Sequence, residues 1–142
     1  MRSAIAAAAL GLVLAQPASQ SYMGTWTAER AGQTFVRLEL TTTGGALGGR
    51  ISLGDIHLDS QGEVEAVLKA ATDFTPIFDV VLRDGMLSFA RKDGDDTDRF
   101  EMRLAANETA QLTFAPSEAD REELVRAGVP LPKPIRLKKG AR

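Results

Sequence analysis

At 142 residues the chain has the length of one ordinary domain. It is 44% hydrophobic and 25% charged, the balance of a soluble globular protein, which excludes disorder for the bulk of it. A formal net charge of -2 and a sparse aromatic set (one Trp, one Tyr, six Phe) exclude a basic or base-stacking surface for nucleic acid, and with no cysteine there is no disulfide or thiol chemistry.

Residues 1–15 read as a secretory signal peptide. Arg2 supplies the positive end, Ala4 to Ala15 is an unbroken apolar run, and Val13 and Ala15 suit the -3 and -1 positions of a signal peptidase site. Twelve apolar residues would make a helix of about 18 Å, short of the ~30 Å hydrocarbon core, so no integral membrane segment is expected after signal removal. Cleavage leaves 127 residues with 16 basic against 19 acidic side chains. The expected location is the periplasm or the extracellular medium, where a chain without cysteine depends on its core alone.

Residues 16–22, QPASQSY, read as a short flexible leader. From residue 23 the apolar period becomes 2. Val36, Leu38 and Leu40 point one way and Arg37 and Glu39 the other, which is a strand with one wet face. Thr43-Gly44-Gly45 turns the chain, Leu47, Ile51 and Leu53 resume, and Gly54-Asp55 interrupts. Glu63 to Ala70 fits a strand or one to two helical turns. Ile77 to Leu82 is apolar on both faces, as in a central or covered strand. Asp84-Gly85 is a two-residue hairpin signal, followed by Leu87 and Phe89 on one face. Phe100, Met102 and Leu104 alternate with Glu101 and Arg103, and Leu112 and Phe114 close the series.

Eight or nine short strands between residues 23 and 115, with turns every 8 to 12 residues, predict an all-β fold. Sequential hairpins favour an antiparallel up-and-down barrel of about eight strands, with a β-sandwich as the alternative. Residues 116–128 predict one short C-terminal helix, with Ser117 as N-cap, Asp120 at N3 and Gly128 after the end. Residues 129–142 form a Pro-rich basic tail, extended, with an edge strand at Ile135 to Lys138.

Three constellations could carry chemistry. In RKDGDDTDR, residues 91–99, the acids Asp93, Asp95 and Asp98 could gather a weak calcium site. The offsets of an EF-hand fail, because its sixth and twelfth places fall on Asp98 and Leu104. Arg91, Lys92 and Arg99 neutralise the local field, and Asp93-Gly94 is a turn pair, so the stretch reads as a turn between two strands. His57, the only histidine, shares a strand face with Asp55 and Asp59, which could orient an imidazole for hydrolysis; Ser52 and Ser60 lie close in sequence. The simpler arrangement turns this polar trio to water while Ile56 and Leu58 face the core. Nothing marks a cofactor: there is no P-loop and no dinucleotide fingerprint.

Gly24-Thr25-Trp26 opens the first strand, and a Gly-x-Trp there resembles the start of lipocalin-like, calycin-type β-barrels. The resemblance implies that Trp26 packs across one end of the barrel. The disulfide usual in that family has no counterpart here. The run from Thr75 to Leu104 is also similar to small exported bacterial β-proteins.

The expected function is non-catalytic binding. A small apolar ligand inside the barrel would be lined by Trp26, Val36, Leu38, Leu40, Ile51, Leu53, Phe89, Phe100, Met102 and Leu104, with Leu112 and Phe114 beside them. The same set would equally fill a solid core. The alternative is a periplasmic protein-interaction or inhibitor module with a filled core, which docks a protein partner through its C-terminal tail. A hydrolase using His57 with Asp55 or Asp59 is the third reading.

Overall fold

The computed structural model describes residues 17–140. The signal-peptide reading of residues 1–15 therefore lies outside the described residues. The chain runs α1 (Pro17–Tyr22), β1 (Gly24–Arg30), β2 (Gln33–Thr43), β3 (Ala46–Leu53), β4 (Asp55–Leu58), β5 (Val64–Lys69), β6 (Thr75–Arg83), β7 (Met86–Asp93), β8 (Asp96–Ala105), β9 (Thr109–Phe114), α2 (Glu118–Arg126) and β10 (Ile135–Lys139).

Eight strands close into an antiparallel barrel in the order β1-β10-β9-β8-β7-β6-β3-β2, while β4 and β5 form a separate hairpin. Closure leaves every barrel strand with two neighbours, so the barrel itself has no open edge. Tight turns set the registers. Asp84 and Gly85 both have positive φ, 53° and 75°, as the twist of a two-residue hairpin demands. Gly49 needs its glycine for another reason: a Cβ there would overlap the Glu39 carbonyl on the paired strand. The ambiguous stretch at residues 63–70 is a strand, β5. Among the described residues no helix is long and apolar enough to cross a membrane.

The inward set is the alternating one. Leu38, Ile51, Leu87, Met102, Leu112 and Leu137 are fully buried, and Phe89 stacks on Phe100 with ring centroids 5.3 Å apart. Phe100 meets Phe114 edge-on at 5.1 Å. Run β6 departs from the sequence expectation. Asp79 sits at φ 53° where the β6–β7 register slips between Phe78 and Val81. That bulge turns Val81 out to 46% exposure, so both apolar faces are not covered.

Two further expectations are corrected. Residues 17–22 are not a flexible leader but the helical turn α1, which closes one end of the barrel. The Tyr22 hydroxyl lies 2.8 Å from the Gly85 carbonyl and 3.1 Å from that of Met102, and Trp26 Nε1 donates to the Tyr22 carbonyl at 2.9 Å. Burial pushes the Tyr22 phenol above its ordinary pKa. Lys139 Nζ sits 5.4 Å from the Trp26 ring centre and caps the same end. The second correction concerns the tail. Ile135–Lys139 is not an edge strand; β10 pairs with β9 through four residues and with β1 through two, and it closes the barrel.

At the opposite end, the mouth, the β4–β5 hairpin folds over the opening. Ile56, Val64 and Val67 pack on the core from it. The connections are pinned by Gly54 N–H to the Phe35 carbonyl, 2.9 Å, and Ala71 N–H to the Thr34 carbonyl, 2.8 Å. The tail straps the hairpin down: Lys133 N–H donates to the Gly62 carbonyl at 3.0 Å, and its Nζ lies 3.6 Å from Glu63. Gly62 is required there because a Cβ would overlap the Leu131 carbonyl.

Candidate functional site

Of the ten candidate lining residues, Trp26, Val36, Leu38, Leu40, Ile51, Phe89, Phe100 and Met102 come together inside the barrel, each at most 1% exposed. A void that could hold one water would leave accessible surface on its walls, and these walls have almost none. Leu53 is half-buried against the core. Leu104 is 37% exposed and does not line the interior, because β8 has reached the rim at that position. Tyr22, Phe35, Ala110 and Leu137 join the core without having been expected there.

The His57 constellation is not assembled as the hydrolase reading requires. The imidazole Nε2 lies 3.3 Å from Glu65 on the neighbouring strand, not against Asp55 or Asp59, and the pair is exposed to solvent. Ser52 is fully buried and its hydroxyl has no hydrogen-bond partner, so Ser52 does not pair with His57. Asp59 has a different task. Its Oδ1 accepts from the N–H of Gln61 at 2.8 Å and of Glu63 at 3.0 Å, which ties the β4–β5 turn.

Those two backbone donors, from Glu63 first and Gln61 second, hold the Asp59 carboxyl below its ordinary pKa. A carboxylate depressed in the folded state adds stability that is present above the unfolded value of about 3.9 and lost as pH falls through the folded value. The turn is therefore expected to loosen only in acid. Hydrogen exchange at the Gln61 and Glu63 amides, referred to intrinsic rates, should accelerate below about pH 4. In Asp59→Ala the same amides should exchange fast already at neutral pH, with no such step.

The acidic stretch is a hairpin turn, Gly94-Asp95, between paired Asp93 and Asp96. Arg91 takes up the carboxylates that a cation would need: its Nε donates to Asp98 at 3.1 Å, and its guanidinium lies 3.9 Å from Asp93. Asp93, Asp95 and Asp98 do not converge, and among the described residues no three acidic, histidine or cysteine side chains form a metal-binding group.

A feature the sequence did not reveal lies outside the barrel, at the mouth. An open cleft of about 860 Å³ runs between the β7–β8 turn and α2. Asp95 to Arg99 form one side, Phe114 to Ser117 the floor, and Asp120, Glu123, Leu124, Leu131 and Pro132 the other side. Its size falls within the roughly 300–1,000 Å³ of pockets that hold whole ligands. The sequence dictates this overhang. Pro116 ends β9, Ser117 caps α2 by accepting from Asp120 N–H at 3.2 Å, and Gly128 with φ 71° ends the helix. Because α2 buries none of its residues, it stands off the barrel and leaves the cleft beneath it.

The closed eight-stranded antiparallel architecture, with a tryptophan packed across one end, is consistent with a lipocalin-like barrel. No family model matches the chain, and no curated protein or solved structure matches it either.

Proposed function

We propose that this chain is an exported, non-catalytic binding protein whose barrel is a filled scaffold and whose binding surface is the cleft beneath α2. The reading is supported above all by one contrast. The interior side chains have almost no accessible surface, whereas an open cleft of about 860 Å³ with a part-apolar lining lies outside. A ligand held inside would have to force apart a close-packed core, at the cost of the contacts that hold the fold. The cleft asks for no such rearrangement. Its walls come from a turn, a strand end, a helix and the tail, with the turn and the strand end belonging to the barrel itself. In this reading the tail contributes Leu131 and Pro132 as one wall rather than acting as a free arm. Export rests on the signal-like residues 1–15. The test is native mass spectrometry of the protein isolated from its host, which should carry no small apolar molecule.

A further inference from the structure

The cleft carries a charge pattern that the fold does not consume. Asp95, Asp96, Asp120 and Glu123 are exposed on its rim, and none has an ion-pair partner among the described residues. The lining's one base, Arg99, is engaged with Asp79 at 3.3 Å, and Asp98 is engaged with Arg91. Between the acids lie half-buried apolar groups, Phe114, Pro116, Leu124 and Leu131, which no other part of the chain covers fully. Like charges gathered from two separate elements repel in the free protein, and a cationic occupant relieves that repulsion.

The arrangement also selects the kind of cation. The carboxylates do not meet at one point, so a single metal ion would not satisfy them. They are spread along an open, partly apolar trough, which suits positive charges spread along a chain that has apolar side chains between them. We propose that the cleft docks a polypeptide partner through a segment in which Lys or Arg alternates with apolar residues. The apolar side chains lie between the Phe114 floor and the Leu124 wall, and the basic ones reach the rim acids. This inference rests on the cleft being the binding surface.

The experiment is a titration of the 15N-labelled full chain with an acetylated, amidated peptide, Lys-Leu-Lys-Ser-Lys-Leu-Lys, and with versions that carry Glu or Ser in place of Lys. The Lys peptide should shift the amides of residues 95–99, 114–117 and 120–127, and rising salt should weaken it. The triple variant Asp95→Asn, Asp120→Asn, Glu123→Gln alters exposed side chains only, and its unchanged spectrum away from the cleft reports an intact fold. It should bind the Lys peptide about tenfold more weakly, the sum of three exposed pairs. Unaltered affinity in that variant, or equal binding of the Glu or Ser peptide at the same amides, overturns the charge assignment and leaves the cleft as a binding surface. If none of the three peptides moves the cleft amides, both the assignment and the cleft reading fall.

Discussion

A chain ending at Ala115 should not fold into a free-standing barrel. It would lose β10, which lies between β9 and β1 and buries Ile135 and Leu137 at 7% and 0% exposure. Removing the strand breaks two ladders, leaves β1 and β9 as open edges, and uncovers the interior beside Leu112 and Trp26. Truncating one buried aliphatic side chain costs about 2–5 kcal/mol, and a whole domain of this kind is stable by only about 5–15 kcal/mol. Loss of two such side chains together with their ladders consumes most of that margin. The expected result is a truncated protein without a cooperative thermal transition and without near-ultraviolet dichroism, while Leu137→Ala in the full chain stays folded with a lower midpoint. A truncated chain that melts sharply and keeps its tertiary signal would show that β10 is dispensable.

Trp26→Ala should be the most damaging single substitution at the closed end, at about 3–5 kcal/mol. The indole is 1% exposed and is the largest fully buried side chain of the core. It is also a polar link, since Nε1 donates to the Tyr22 carbonyl and so fixes α1 under the barrel. Its loss leaves a cavity, frees that carbonyl and removes the surface on which Lys139 sits. Tyr22→Phe is a milder control. The single hydroxyl proton serves the Gly85 or the Met102 carbonyl, so about 1 kcal/mol is expected. Urea unfolding followed by far-ultraviolet dichroism measures both. A Trp26→Ala midpoint close to the parent would mean that α1 and Tyr22 close the end without it.

The barrel was legible because its signals are local. Val36, Leu38 and Leu40 alternate with charged residues, Asp84-Gly85 forces a turn, and Ser117 and Gly128 bracket a helix, each within a few residues. What stayed hidden depends on distant partners. Tyr22 lies in a polar stretch with no periodicity, and its hydroxyl meets backbone 63 and 80 residues away. Ile135 and Leu137 do alternate with Arg136 and Lys138, so the strand itself was readable. Its neighbours β1 and β9 were not, because pairing across a helix and four prolines leaves no local trace. Leu104 keeps the alternating pattern past the point where β8 reaches the rim, and Asp79 hides a bulge inside an apolar run. The cleft draws on residues 95–99, 114–117 and 120–132, which only the fold brings together.

The filled barrel with an external cleft is tested most directly by native mass spectrometry of the protein isolated from its own host, first intact and then gently denatured. The expected result is a bare polypeptide mass, alone or with a second polypeptide bound, and no small molecule released on unfolding. A small apolar molecule that leaves only when the barrel unfolds would contradict this. The interior set around Leu38, Ile51 and Met102 would then be a ligand chamber, and the cleft would lose its place as the binding surface.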